Sequence, residues 1–140
     1  MSHFVRAGAA FVFVLAGCAS SRGSLFGSVT YQGKPVVYGT VTAIGGDGIT
    51  RSANIEADGT YRLENLPLGE VRLAVVSPEP PNPRANERRG ERPGAPKGVA
   101  GPVVDRAKWF EIPAKYGDPR SSGLSAVVTG SANPFPIELH

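Results

Sequence analysis

Short segments of alternating apolar and polar residues, separated by glycine and proline turns, dominate this chain. In the clearest segment, residues 70–75, every second position is valine or leucine. Alternation with a period of two places such side chains on one face of a β-strand. Strands are likewise predicted over residues 25–32, 36–44, 52–57, 61–63, 124–129 and 135–139. Because residues 18–140 show no helical periodicity, we predict an all-β protein.

The turn residues set the spacing of these strands. The chain has 18 glycines and 13 prolines among 140 residues; seven of the prolines lie in residues 77–104, and turn signals occur at residues 33–35, 45–48, 58–59 and 66–69. Glycine, proline and Asp-Gly pairs favour tight turns between antiparallel strands. We therefore predict an antiparallel Greek-key β-sandwich of about seven strands in a single domain, residues 25–140. An SH3-like or OB barrel is the alternative.

The first 17 residues differ from the rest of the chain. Arg6 precedes an uncharged, apolar run over residues 7–17. This run is shorter than the stretch of about 20 residues that spans a ~30 Å hydrocarbon core, so it indicates a signal peptide rather than a membrane-spanning helix. At its end, Leu15, Ala16, Gly17 and Cys18 resemble the lipobox of bacterial lipoproteins. We predict cleavage after residue 17.

Cys18 is the only cysteine, so no disulfide forms within the chain. The resemblance to a lipobox implies that its thiol receives a diacylglycerol group and that acyl chains such as palmitate then act as the membrane anchor, with residues 18–24 as a lipidated tether. The alternatives are an ordinary signal peptide with an incidental cysteine, or a buried free thiol. We expect a location in the cell envelope. Ala19 replaces the aspartate that commonly retains lipoproteins in the inner membrane, which favours the outer membrane or the periplasmic face.

Three stretches carry a second resemblance. Residues 27–36, 57–63 and 66–73 resemble the carboxypeptidase regulatory-like, or transthyretin-like, β-sandwich domain, with residues 123–139 as the remaining strands. Residues 112–124 resemble a segment of small lipoproteins from planctomycete-type bacteria. Sandwiches of this kind include regulatory, adhesive, carbohydrate-binding and a few catalytic members, so the fold alone does not select a function.

The composition argues against several functions. The 15 basic residues barely exceed the 12 acidic ones and form no basic face, so no nucleic-acid partner is expected. The only histidines are His3 and His140, which cannot build a catalytic triad or a histidine-rich metal site. The chain also lacks the histidines and the Tyr-Arg-Gly-Ser ending of the hydroxyisourate hydrolase branch. We predict a non-enzymatic protein without a cofactor or metal; the alternative is an enzyme accessory domain or small hydrolase that uses paired carboxylates.

Two other chemistries have only permissive signals. Asp47 and Asp58 lie beside glycines, but no calcium-loop spacing follows them, so we expect turn-stabilising roles. Some related sandwiches form an isopeptide crosslink between a lysine and an asparagine, assisted by a buried acid. In this chain, Lys34, Asn133 and Glu56 are formally available for one. Because Lys34 lies in a turn, we expect no such crosslink.

The candidate binding residues are aromatic or basic. Trp109, Phe110 and Tyr116 form either an exposed platform for sugar rings or, as we favour, a cap over the core. Arg88 and Arg89 lie in a long proline- and arginine-rich loop, residues 77–104, which either binds an anionic polymer or a partner or, as we favour, is a solvated spacer. We predict a lipid-anchored envelope lipoprotein that serves as a structural or binding module for a protein or glycan partner.

Overall fold

The computed structural model describes residues 22–81 and 104–140, which form a β-sandwich of two sheets. The strands are β1 (Arg22–Tyr31), β2 (Lys34–Pro35), β3 (Gly39–Ile44), β4 (Thr50–Ile55), β5 (Thr60–Pro67), β6 (Gly69–Val76), β7 (Leu124–Val128), β8 (Asn133–Pro134) and β9 (Ile137–Leu139), with one 3₁₀ turn, Ala114–Gly117. One sheet has β1 at its centre, and the other has the order β4-β3-β6-β7. The all-β sandwich prediction is confirmed.

The strands that pair with β1 include β8 and β9, which contain the last residues of the sequence. β5 and β2 pair antiparallel with β1, whereas β8 and β9 run parallel to it, with Val29 opposite Ile137 and Tyr31 opposite Leu139. The sequence predicted antiparallel neighbours throughout, because alternation does not encode strand direction. Counting β8 and β9 as one path and leaving out the two-residue β2 gives the seven strands expected. Within the described residues neither sheet closes into a barrel.

The core lies between the inward faces of the two sheets. The largest fully buried side chains come from both of them: Leu25, Val29, Leu63, Leu66, Ile137 and Leu139 from one sheet, and Val41, Val71, Leu73, Val75 and Val128 from the other. Each buried valine or leucine stabilises the fold by about 1.5–3 kcal/mol relative to an exposed one. Apolar burial between the sheets therefore fixes which face of each strand points inward.

Gly27 explains how the chain's last residues reach β1. A Cβ atom at Gly27 would lie only 2.5 Å from the Phe135 carbonyl oxygen, so a larger residue would push the β8–β9 connection away. The hydroxyl of buried Tyr61, which is opposite Gly27 in β5, donates a hydrogen bond of 2.7 Å to that same oxygen. Burial raises the pKa of Tyr61, so the hydroxyl keeps its proton and remains a donor.

β1 begins within the predicted tether. Arg22 is already opposite Pro67 of β5, so residues 22–24 belong to the sheet rather than to the tether. Gly23 and Ser24 are buried, and Ser24 donates to the Ser131 carbonyl from both its N–H, at 3.1 Å, and its hydroxyl, at 2.8 Å. The polar residues predicted a linker. Gly23 and Ser24 are small enough for the backbone around Ser131 to approach β1 closely. The local sequence pattern does not reveal this contact, because the two segments are far apart in the chain.

The predicted turns include two aspartates with turn-stabilising roles. Asp58 Oδ1 accepts the backbone N–H of Thr60 at 3.0 Å and its hydroxyl at 2.6 Å. Asp47 Oδ1 accepts the backbone N–H of Ile49 at 3.1 Å. Both carboxylates thus satisfy turn donors, as predicted.

The first part of the predicted exposed loop is packed instead. Ser77 and Pro80 are buried, and the Ser77 hydroxyl and the Pro80 carbonyl accept hydrogen bonds from the side chains of Trp109 and Arg106. Residues 82–103 of the predicted 77–104 loop, which include Arg88 and Arg89, lie outside the described residues. So do the signal peptide and lipobox residues, Leu15, Ala16, Gly17 and Cys18. Among the described residues, no helix is both long and apolar enough to cross a membrane.

The strands define two ends of the sandwich. The proximal end is where β1 begins, with the β3–β4 turn (45–49), the β5–β6 turn (67–69) and the β7–β8 turn (129–132) around it. The distal end is where β1 ends at Tyr31, beside the chain end at His140. At ~3.3 Å per residue, the length of β1 separates the ends by about 30 Å.

Candidate functional site

A pocket at the distal end contains two of the predicted aromatic residues. Its volume is about 440 Å³. The side chains that line it are a mixture of aromatic, aliphatic and basic groups: Lys34, Pro35, Val37, Ala107, Lys108, Trp109 and Phe110. We call it the distal pocket. The pocket lies between β2 and residues 107–110, which are distant from β2 in the sequence. It therefore forms only when the chain folds.

The indole of Trp109 has a fixed orientation in this pocket. It is partly exposed, and its Nε1–H donates a hydrogen bond of 3.0 Å to the Ser77 hydroxyl. That hydroxyl in turn donates to the Tyr38 carbonyl at 2.6 Å. A buried serine therefore restrains the indole at its Nε1–H, while the residue as a whole remains partly exposed.

Phe110 connects the distal pocket to the core. Its ring stacks on Tyr31 with a centroid separation of 5.9 Å and an interplanar angle of 29°, and it packs against the buried cluster. Offset stacking of this kind contributes about 0.5–1.5 kcal/mol beyond area burial. Phe110 is therefore both a wall of the pocket and a support for its position.

Tyr116 is placed apart from the other two aromatics. Its side chain is only 6% exposed, and its hydroxyl both donates to the His140 carbonyl, at 2.6 Å, and accepts the His140 N–H, at 2.9 Å. The ammonium of Lys115 lies 4.7 Å from the ring centroid. Tyr116 thus closes the core at the distal end, which is the role favoured for the aromatic group from sequence.

The segment that carries Trp109 is held against the strand end by Arg106. This guanidinium donates to the Pro80 carbonyl and to the Glu79 carboxylate. Contacts from a single side chain to two acceptors restrict the position of the segment on which the pocket residues lie. Sequence reasoning did not single out Arg106, because its partners lie more than 20 residues earlier in the chain.

The distal pocket has cationic groups beside its aromatic rings. Lys34 and Lys108 both line it. Asp105 lies 3.8 Å from the Lys108 ammonium, but both side chains are mostly exposed, so the ion pair is weak. The arrangement suits a ligand with a flat apolar face and an anionic group.

A second groove lies between β4 and β5. It has a volume of about 770 Å³ and is lined largely by polar side chains, among them Glu56 and Glu64. Glu56 is beside Thr60, which places it about 13 Å from Glu64 along β5. Glu64 is also paired with Arg62 at 2.9 Å.

Asn133 has a structural role that the sequence did not reveal. Its Oδ1 accepts the backbone N–H and the hydroxyl of Thr129, each at 3.0 Å, while its Nδ2 donates to the carbonyls of Ser24 and Gly130. Lys34 is opposite Tyr31, whereas Asn133 is opposite Leu25, about 20 Å away along β1. The geometry therefore excludes an isopeptide bond between them.

Asp47 is surrounded by arginines. Arg51 contacts both of its carboxylate oxygens, at 3.2 and 2.8 Å, and Arg22 lies 3.8 Å away. The hydrogen bond from Arg51, helped by the Ile49 N–H and the nearby charges, holds the pKa of Asp47 below its ordinary value. Within residues 22–81 and 104–140, no three histidine, cysteine, aspartate or glutamate side chains gather as metal ligands would.

Comparison with known proteins adds little to this geometry. No protein family model matches the chain, and no curated protein matches it. Among solved structures, the Bacillus anthracis TIE protein aligns with 84% of this chain at 18% identity and a TM-score of 0.40. This chain spans about 16% of the length of that protein. The fold assignment rests on the strand pairing described above, which makes this chain a two-sheet, all-β sandwich.

Proposed function

We propose that this chain is a non-enzymatic, lipid-anchored lipoprotein of the cell envelope whose sandwich is a binding module. Its ligand site is the distal pocket, and its preferred partner is an acidic glycan. We also infer that the sandwich is of the transthyretin-like type and that the chain is a planctomycete-type small lipoprotein, on the sequence resemblances alone.

The observation that carries the binding proposal is the fixed, partly exposed ring of Trp109. The hydrogen bond to Ser77 restrains the indole, so less side-chain freedom is lost when a sugar ring stacks on it than on a mobile side chain. Lys34 and Lys108 supply positive charge at the same pocket. An acidic glycan presents both a sugar face and a carboxylate, and it matches this pair of features.

The lipobox supports the anchoring proposal, and the position of β1 agrees with it. The strand begins at Arg22, four residues after Cys18, and runs away from that point toward the distal pocket. A protein anchored at Cys18 therefore has its pocket at the end farthest from the lipid. Such an arrangement suits capture of a partner on the exposed side of a membrane.

The arrangement of carboxylates favours a binding role over hydrolysis. Glu64 forms an ion pair with Arg62 at 2.9 Å. Asp47 and Asp58 accept hydrogen bonds within their turns, so each has a local role. These placements support the proposal that the sandwich binds rather than reacts.

The fluorescence of Trp109 tests the binding site directly, because it is the only tryptophan. We expect titration with polygalacturonate to change its emission, while neutral dextran has a weaker effect. Replacing Lys34 and Lys108 together with alanine should weaken binding about tenfold, which corresponds to about 1.4 kcal/mol. Arg62→Ala, in the β4–β5 groove, is the matched control and should bind normally. A polyglutamate peptide that binds more tightly than the polysaccharide would assign a protein partner instead.

The mass of the protein from its native membrane tests the anchor. We expect the mature chain to begin at Cys18 and to carry diacylglyceryl and acyl mass. Cys18→Ala should leave the chain without that mass and outside the membrane fraction. A Cys18→Ala protein that remains in the membrane at its normal mass would contradict the anchoring proposal.

A further inference from the structure

Two large apolar side chains project from turns at the proximal end. Ile49, in the turn before β4, is 53% exposed, and Leu68, in the turn between β5 and β6, is 45% exposed. Single exposed apolar side chains are ordinary on protein surfaces, so what distinguishes these two is that they share one end of the sandwich. The two turns project from the same end of the sandwich as the start of β1.

Arg22 ties these two turns together. Its guanidinium donates to the Asn65 carbonyl at 3.1 Å, near the turn that contains Leu68. It also lies 3.8 Å from Asp47 in the turn that contains Ile49. Asp47 in turn accepts the Ile49 N–H. The two apolar side chains are therefore held on one end of the molecule by the first residue of β1.

Chain length limits how far this end can be from the anchor. Only three residues separate Cys18 from Arg22. Four residue steps extend at most about 14 Å, at ~3.5 Å per residue. If Cys18 carries lipid, as proposed above, the proximal end must lie within that distance of the lipid-water interface.

We infer that the proximal end docks on the lipid bilayer, with Ile49 and Leu68 inserted into its interfacial region. This inference rests on the proposed lipidation of Cys18. The bilayer is the one surface that the short connection to Cys18 must bring to this end. Interfacial side chains bury ~5–10 Å into the boundary between headgroups and acyl chains. The sandwich then stands on the membrane, and β1 carries the distal pocket about 30 Å outward.

Quenching by brominated lipids tests this orientation on the full mature protein. The lipidated chain, purified from its host membrane, is reconstituted into phosphatidylcholine vesicles with and without brominated acyl chains. In a Trp109→Phe background, Leu68→Trp and Ile49→Trp report on the proximal end. Val76→Trp is the matched control, because Val76 is 44% exposed but lies about 26 Å from Leu68, at the other end of β6.

We expect bromination to remove about half of the emission of Leu68→Trp and Ile49→Trp, since side chains at interfacial depth approach the acyl chains. The emission of Val76→Trp should not change. Two independent reporters guard against a single variant that disturbs its turn.

The outcomes separate the two proposals. If the protein carries acyl mass and stays with the vesicles but the proximal reporters are unquenched, or Val76→Trp is quenched equally, the docking inference is wrong and the lipoprotein proposal stands. If the protein from the host carries no acyl mass, both are wrong.

Discussion

The two ends of the sandwich use their polar side chains differently. At the proximal end, Arg22, Asp47 and Asn133 hydrogen-bond to nearby backbone groups, and two large apolar side chains, Ile49 and Leu68, are exposed. At the distal end, Trp109 is partly exposed and lines a pocket with two lysines. In the proposed function, the proximal end is the support and the distal end is the recognition surface.

This contrast has a physical cause. Turns that meet at one end of a sandwich leave backbone donors and acceptors without strand partners, and nearby side chains must satisfy them. The proximal end has three such turns. At the distal end Asp58 satisfies donors of the β4–β5 turn in the same way, and the difference lies in the distal pocket, where Lys34 and Lys108 lie beside Trp109.

The largest expected effect comes from a substitution at Gly23, at the proximal end. A Cβ atom at Gly23 would overlap with the Gly130 carbonyl oxygen and with Val128, so Gly23→Ala should destabilise the protein by about 2–3 kcal/mol, as overpacking does. Urea unfolding measures the loss. Gly46→Ala, in a nearby turn with nothing within 4 Å of the added atom, is the control and should be nearly neutral. Equal effects for the two variants would mean that the close contact at Gly23 is relaxed in solution.

The next largest effect comes from removing the side chain of Asn133, whose hydrogen bonds support the same end. Asn133→Ala loses four hydrogen bonds and should cost about 2 kcal/mol, because the part-buried carbonyls of Ser24 and Gly130 lose their donor. Asn133→Asp keeps the acceptor oxygen for Thr129 and should cost less. Hydrogen exchange should increase around residues 129–132 and near Ser24, but not near Trp109. Faster exchange at the distal end would show that the two ends are not independent.

A smaller effect probes the distal end alone. Tyr116→Phe removes the hydroxyl that bonds to both backbone groups of His140, and we expect a loss of about 1 kcal/mol. Tyr31→Phe is the control, since that hydroxyl only accepts a 3.3 Å hydrogen bond from exposed Gln32. Thermal unfolding compares the two. A larger loss of stability for Tyr31→Phe would contradict the role of Tyr116 in closing the core.

The smallest effect concerns pH at the proximal end. The pKa of Asp47 is lowered in the folded protein, so its ionised form stabilises the fold above the ordinary aspartate value of about 3.9, and this contribution is lost as pH falls through the folded pKa. Asp47→Asn should therefore be less stable than the parent at pH 7, and the difference should shrink below pH ~4. Arg51→Met removes the main partner and should give the same trend. A difference that does not vary with pH would argue against the ion pair.

Much of the fold could be predicted from local pattern, and particular residues show where that stops. Alternation identified residues 70–75 as a strand, and Asp58-Gly59 identified a tight turn, because both signals lie within a few neighbouring residues. The parallel pairing of β9 with β1 was missed, since pairing direction depends on contacts more than 100 residues apart. Ser24 was read as tether, although it is buried against Ser131.

The candidate site shows the same division. Trp109 and Phe110 were identified as aromatic candidates by residue type, but Ser77, which fixes the indole, lies 32 residues earlier in the chain. Asn133 was considered for a crosslink and instead stabilises a turn. No local pattern indicates such partners, because hydrogen bonds between distant segments form only once the sheets have packed.

The sequence by itself determined that the chain is all-β, where most strands and turns lie, and that Leu15 to Cys18 match a lipobox, because these features depend on residue order alone. Only the tertiary structure decided that Lys34 and Trp109 share a pocket, that Tyr116 belongs to the core, and that Ile49 and Leu68 project from the end where β1 begins. These relations arise when apolar burial between the two sheets fixes strand order and direction, and a linear pattern does not specify that arrangement.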